Sequence, residues 1–481
     1  MRRAIIYLAA LPLLAACASN APVRAPDAGV PAAYENQLAA GTAPLDRWWT
    51  AYNDPQLADL VEQALRTAPD AKLALARLEE ARATRLVNIR SAYPTGDLAL
   101  NANKRGTNQI SGPQSVFQAN GVSTTESATF DVSWEADIWG KTRIGRRGID
   151  DDFASKVFDI ESTRASLAAN VADSLFAARG LAQQLDDARE SARIARQVQS
   201  IAGVRASRGL VPQSDADATA ANVAQADANV LGLQSQLDAA RRSLLVLIGR
   251  GTDPLTSLTI TPALEGPPLP PAGVPGELLR RRPDVRESEE RLSVATAQLA
   301  VDRIALFPKF TIMPGVGLTR SSSESFTGFS TTGAPQFGSV TTLIGDWTLG
   351  AGISVPVLSR PRLLATARAS AARAEQAVIA YEASVQNAYG EVENAFVELQ
   401  SDQNRLTLLD AGERASRTAY DAAKTRYDAG LDDLTSLLQA EQTWRGARSQ
   451  ATAARAQALR RSVQTFKALG GGWSPGDDFK G

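Results

Sequence analysis

The sequence predicts a mainly α protein that also supplies strands to a membrane β-barrel, assembled as an internal duplication. Three observations carry that prediction. Two tracts of 67 residues, Lys141–Ser207 and Arg362–Asp428, contain no proline and are rich in Ala, Arg, Gln, Leu and Asp. Each is preceded by a stretch in which apolar and polar residues alternate. The landmarks of the first half then recur in the second. Pro69-Asp70 and Tyr93-Pro94 return as Pro283-Asp284 and Phe307-Pro308 at an offset of 214. Arg205 to Leu210 returns as Arg426 to Leu431, and Ile248-Gly249 as Leu469-Gly470, both at an offset of 221. A period this long is the duplication of a whole unit, not a short solenoid repeat.

The amino end reads as an address. Arg2 and Arg3 precede 13 apolar residues, Ala4 to Ala16, too few to span a bilayer but suited to a signal peptide. The run closes in Leu14-Ala15-Ala16-Cys17, which resembles a bacterial lipobox, and Cys17 is the only cysteine in the chain. Lipidation of its thiol is therefore expected, with Cys17 as the mature N-terminus. Ala18 follows, not the aspartate that retains many lipoproteins at the inner membrane, and this favours the outer membrane. No later stretch reaches 18 apolar residues, so any spanning falls to a barrel.

Composition excludes much chemistry. There is no histidine, the commonest general base and metal ligand, and one cysteine cannot form an intramolecular disulfide. The 51 basic and 52 acidic side chains are interspersed, which gives no footprint for nucleic acid. No cofactor or metal site is expected.

At 1.5 Å per residue each 67-residue helix would reach about 100 Å unbroken, a length no compact domain needs. In the second, Val378, Val385, Val392, Leu399 and Leu406 fall seven apart, with Tyr420 and Tyr427 in register. Ala374, Tyr381, Ala388 and Ala395 form the flanking row. Strict sevens imply left-handed supercoiling, and the alanines permit close approach. Ahead of the helices, Phe130, Val132, Trp134, Ala136 and Ile138 alternate with polar residues, as do Trp347, Leu349, Ala351, Ile353, Val355 and Val357. Leu98, Leu100 and Ala102, then Phe310, Ile312, Val316 and Leu318, alternate more weakly. Such a face suits either a soluble sandwich core or a lipid-facing wall. The lipobox favours the wall. One chain then contributes four strands, which cannot close a pore, so several chains must share one barrel. The Gly/Ser/Thr/Phe-rich segments around Gly106–Thr125 and Ser321–Thr342 are expected as outer loops.

The expected organisation begins with a signal peptide over 1–16 and a lipidated extension over 17–56. Repeat 1 follows as short helices over 57–93, strands and loop over 94–140, and a long α-hairpin over 141–250. A linker over 251–282 leads to repeat 2: a short helix over 283–307, strands and loop over 308–358, and a long α-hairpin over 359–470. A tail over 471–481 ends the chain.

Five segments resemble one family in order. They are Trp48-Trp49 through Leu57, Arg281 through Arg286, Phe307-Pro308, Tyr427 through Leu431, and Ala468 through Trp473. Together they cover nearly the whole mature chain and resemble the TolC-like outer-membrane factors, within them the lipoprotein branch serving multidrug efflux. The resemblance implies a homotrimer with a shared twelve-stranded barrel, four strands per chain, above a long periplasmic α-helical coiled-coil barrel. It implies a passive exit duct for small molecules, partnered by a periplasmic adaptor and an inner-membrane transporter.

The Gly-Leu turns end the long helices and so are expected at the periplasmic tip. Gly209 and Gly430 would end helices in the left-handed conformation. Leu210 and Leu431 would be apolar contacts for an adaptor, or else staples of the turn. Family members close the tip with tyrosine, aspartate and arginine contacts. That pattern points to Asp215, six after Gly209, and Tyr427, three before Gly430. This chain departs where Asp432 replaces a gate arginine and where Ser436 and Gln439 replace aspartates. The candidate gate residues are therefore Asp215, Tyr427, Asp432 and Asp433, with a solvated turn charge as the alternative for each. Close carboxylates in several copies would favour cations.

Rival readings are a periplasmic coiled-coil scaffold lipoprotein without a pore, and a type I protein-secretion channel. Heavy-metal efflux gets no support from a chain lacking histidine, with Met1 and Met313 its only methionines. No enzyme site is found: Glu391 and Glu393 lie on the heptad helix and need no catalytic explanation.

Overall fold

The computed structural model describes residues 23–27, 29–36, 43–107, 121–271 and 273–474. The signal segment and Cys17 lie outside the described residues. So do most of the first expected loop and the end of the tail. The chain forms helices α1 (Pro55–Thr67) and α2 (Pro69–Arg90), then strands β1 (Thr95–Gly106) and β2 (Val122–Glu135). Helices α3 (Lys141–Ser207), α4 (Gln213–Leu247), α5 (Pro275–Arg281) and α6 (Pro283–Ile304) follow. Strands β3 (Lys309–Phe329) and β4 (Pro335–Ser354) and helices α7 (Arg360–Asp428) and α8 (Leu434–Ala468) complete it. The α7 helix takes in Arg360 and Pro361 because proline's missing N–H costs nothing in a first turn. Two compact units result, one around the strands (82–152 and 292–377) and one of packed helices (25–81, 153–291 and 378–481).

In the strand unit one antiparallel sheet has the order β1-β2-β3-β4. The two halves of the chain thus meet at β2 and β3, where Phe130 opposes Val316. One row crosses all four strands as Leu98, Phe130, Val316 and Trp347. All four of these large apolar side chains are exposed, Trp347 at 78%. The facing row carries Asp97, Asp131, Gly315 and Thr348, so the other side is polar and acidic. Nothing among the described residues covers the apolar row, and both outer strands have an unpaired edge.

The loop expectations need correction. β3 and β4 stay paired through Ser322–Thr341 to Phe329–Pro335, leaving a turn over 330–334 where Ser330 N–H donates to Ala334 at 2.8 Å. Ser and Thr in this tract pave a strand instead of a loop. Ser322 and Ser339 hydroxyls bond across it at 3.1 Å, and β-branched threonine suits a pleated surface. Residues 122–125 are likewise strand. At the other end the strands stop sooner than the alternation. β4 ends at Ser354 before Pro356, and β2 at Glu135, before Ile138.

In the helical unit the seven-spaced row is the buried row: Val378, Val385, Val392, Leu399, Tyr420 and Tyr427 all lie inside, with Leu406 half-buried. The largest core joins the Trp48–Tyr52 turn, α1, the middle of α3, the end of α4 and the end of α8. There the Trp48 ring stacks on Phe466 at 5.7 Å. Asp54 caps α1 by accepting the Leu57 N–H at 3.1 Å and pairs with Arg179 of α3. Burial pushes the Asp54 carboxyl up, but Arg179 outweighs it and holds the group below its usual range.

The duplication is visible in how each half stops. Gly249 (φ +78°) turns against the Thr67 carbonyl that ends α1, and Gly470 (φ +75°) turns against the Arg281 carbonyl that ends α5. A side chain at either would meet backbone within 3 Å, so both stops require glycine. The expected linker contributes α5 to this packing. Beside it Arg282 is gripped by Asp284 at 2.6 Å, Glu391 at 2.7 Å and the Ala468 carbonyl at 3.1 Å. Glu391 is thus a structural ion-pair partner, and Glu393 accepts the Glu35 and Asn36 amides at 2.7 and 3.2 Å.

Candidate functional site

The turns that end α3 and α7 have the same hydrogen-bond pattern. Leu210 N–H donates to the Arg205 carbonyl and Gly209 N–H to Ala206, both at 2.9 Å. Leu431 donates to Arg426 at 2.9 Å and Gly430 to Tyr427 at 3.0 Å. This six-to-one, five-to-two pair defines a Schellman stop, and it needs the left-handed φ of +71° at Gly209 and +75° at Gly430. Such stops are often closed by an apolar contact from the residue after the glycine back to the helix. Here the reciprocal positions are Val204 and Arg205 in the first turn and Thr425 and Arg426 in the second. Leu210 and Leu431 instead stand out at 68% and 79% exposure, so within one chain they do not staple the turn.

The charged groups around these turns divide into distinct environments. Tyr427 is 3% exposed and packs with Ile194, Val198, Tyr420, Leu437 and Trp444. The Arg205 guanidinium lies 4.5 Å over its ring, a cation–π contact between α3 and α7. Asp432 pairs with Arg426 at 3.2 Å. Asp433 caps α8, accepting the Ser436 N–H at 2.8 Å, and the Ser436 hydrogen bonds hold its carboxyl below the usual range. Asp215 sits in the first turn of α4, where the helix dipole favours an acid. The structure therefore brings Tyr427, Asp432 and Asp433 together around the second turn, while Asp215 follows the first.

Sequence reasoning passed over Arg205 and Arg426 as members of this site. Their signal was present: they occupy equivalent positions at the 221-residue offset. It also passed over Glu441, which is 1% exposed on α8 with Arg445 at 3.7 Å. Burial pushes the Glu441 carboxyl up, with Arg445 opposing. Tyr420 stacks on Trp444 at 5.0 Å nearby, and burial, then Glu441, push its phenol up to about 12.

The chain thus combines two long α-hairpins, a duplicated stop and a four-stranded sheet with an exposed apolar row. The chain matches the outer membrane efflux protein family over residues 60–250 and again over 274–471, once per repeat. It belongs to that family. It is 30% identical to the pyoverdine export outer membrane protein OpmQ of Pseudomonas putida, over 97% of both chains. The outer-membrane channel OprN superposes with a TM-score of 0.76 at 27% identity, covering 94% of this chain and 100% of that one. The outer membrane channel CmeC of Campylobacter jejuni gives 0.78 at 21% identity over 96% and 95%, a likeness of fold alone. The protein is an outer-membrane efflux channel component with the helical barrel and β domain of that family, and it extends into the periplasm.

Proposed function

We propose that three copies of this efflux channel protein close one twelve-stranded barrel and one helical duct, through which small molecules leave passively. The observation that carries this is the open sheet. Four strands with two unpaired edges and an exposed apolar row cannot stand alone in lipid, where each unpaired backbone group costs several kcal/mol. Sharing the barrel removes both edges in one step. The name of its Pseudomonas relative, a pyoverdine exporter, supports a small-molecule cargo. Cargo selection and energy then belong to an inner-membrane transporter reached through a periplasmic adaptor. Cys17 is the lipid anchor in this reading.

The exposed Leu210 and Leu431 are the adaptor contacts, presented by rigid Schellman turns. Asp215, Tyr427, Asp432 and Asp433 form the candidate constriction. Within it Tyr427 acts by fixing the α3–α7 spacing under Arg205, because its ring is already buried. Leu431→Ser tests the docking. The variant is expected to form the same oligomer while cross-linking to the adaptor falls; unchanged cross-linking and efflux would remove Leu431 from the docking surface.

A further inference from the structure

The sheet register places all four helix–strand junctions at one end. Thr95 opposes Ser133, Glu135 opposes Thr311, and Lys309 opposes Ser354. Helices α2 and α6 therefore arrive, and α3 and α7 leave, at the same edge. Cations crowd that edge. Arg90 ends α2, Lys141, Arg143, Arg146 and Arg147 open α3, Arg303 lies at the end of α6, and Arg360 and Arg362 open α7. The far end is less basic: its turn over 330–334 carries no charge, Lys104 and Arg105 are the cations of β1 there, and Arg320 is matched by Glu126 at 3.5 Å.

The placement runs against helix electrostatics. Helix amino ends favour acids and are weakened by cations. Helices α2 and α6 obey with Asp70 and Asp284, whereas α3 and α7 have no acid in the first turn. Both departures fall where a strand hands over to a long helix, once in each repeat. Three of the nearby carboxylates are already engaged. Glu135 holds Lys141 at 3.0 Å, Asp137 accepts the Arg143 amide at 3.3 Å, and Asp150 holds Arg85 at 2.8 Å. Arg143, Arg146 and Arg362 have no carboxylate partner among the described residues.

Beside these cations lie exposed apolar groups. Ile138 and Trp139 precede α3, and Val357 and Leu358 precede α7, Leu358 at 97% exposure. Separately, a cavity of about 710 Å³ opens at the start of α3, lined by Tyr93, Trp134, Ile149, Lys141 and Arg146, and also by the carboxylates Glu135 and Asp137, which are held by Lys141 and the Arg143 amide. Apolar walls, a phenol and an indole, and cations at the rim match the interfacial layer of a bilayer, where rings sit at headgroup depth and basic side chains reach phosphates.

We propose that this end of the sheet is a binding collar for anionic glycerophospholipid headgroups, with one phosphate seated at Arg146 in the Tyr93–Trp134 cavity. The collar rests on the reading of the sheet as a barrel wall. It fixes the depth of the barrel in the bilayer and offsets the unfavourable cations at the starts of α3 and α7. Each basic side chain near an anionic surface contributes roughly fivefold in affinity at moderate salt.

The test compares the full-length protein with the variant R143Q/R146Q/R362Q, three exposed positions whose loss leaves the core intact. Both are purified in detergent and offered an equimolar mixture of phosphatidylglycerol and phosphatidylcholine. Retained lipid is counted by native mass spectrometry. The wild type is expected to retain phosphatidylglycerol in preference, by roughly tenfold or more, and the variant to lose that preference. Equal retention of both lipids by the wild type, or an unchanged preference in the variant, overturns the collar. So does displacement of phosphatidylglycerol by inorganic phosphate but not by chloride at matched ionic strength, since the site would then read a free anion. Insertion into pure phosphatidylcholine vesicles is scored separately. Failure of the wild type there would sink the barrel reading itself, whereas loss of lipid preference with intact insertion concerns the collar alone.

Discussion

Gly180 and Gly412 both lie inside long helices, yet the same substitution to alanine is expected to act with opposite sign. A Cβ built on Gly180 of α3 would stand 2.7 Å from the Ala456 Cβ of α8, whereas one on Gly412 of α7 meets nothing within 4 Å. Carbon atoms pack at about 3.5–4.0 Å, so Gly180→Ala must push α3 and α8 apart by about 1 Å. That seam also holds Arg460 to Asp173 at 2.9 Å and Thr452 to Asp187 at 3.1 Å, which the separation would strain. Alanine is favoured over glycine in a helix interior by about 0.8–1.0 kcal/mol, and this gain is common to both variants. It cancels in their difference, which leaves the overpacking cost alone, about 1–3 kcal/mol. Thermal unfolding of the detergent-purified variants, followed by far-UV circular dichroism, reads that difference. Gly412→Ala is expected at or above the wild-type midpoint and Gly180→Ala below it. A Gly180→Ala midpoint equal to that of Gly412→Ala would refute the close approach of α3 and α8.

Other consequences concern the tip and the amino end. Removing the cap in Asp433→Ala should fray the first turn of α8, seen as faster hydrogen exchange at the Ser436 and Leu437 amides. In the wild type the same protection should be present above the ordinary aspartate value of 3.8 and fade as pH falls through the lowered folded value. Glu441 has the reverse sign. Its raised pKa means its contribution to the fold is present below the ordinary glutamate value of 4.5 and lost as pH rises. Glu441→Gln should therefore melt above the wild type at pH 8, with the gap closing towards pH 4; a gap independent of pH would show that Glu441 is not titrating in the fold. Cys17→Ser should abolish acylation, read as the missing lipid mass, while the oligomer persists.

Much of the fold was legible because its determinants are local or periodic. The Lys141–Ser207 helix has the same bounds in sequence and structure, since no proline or glycine pair interrupts it and Gly209 ends it. The seven-spaced valines mark the buried face of α7 because that helix packs along one stripe, with Val378, Val385 and Val392 inside. The strand tracts were harder. Ser321–Thr342 reads as loop by composition, but its hydroxylated residues pair across the two strands, and the β3–β4 register carries it as strand. At the tip, the glycines and leucines followed from the repeat, whereas the roles of Arg205, Arg426 and Glu441 depend on helices that meet only in three dimensions. Asp433 shows the opposite case: a residue chosen as a gate charge also has a full local explanation as a helix cap.

If three open sheets close into one duct, electron microscopy of the detergent-purified protein will show it. Three-fold particles with a continuous twelve-stranded wall above a helical stem, each chain giving four strands, are the expected result. Monomers, or oligomers in which β1 and β4 remain unpaired, would contradict it and leave a periplasmic coiled-coil scaffold as the better account.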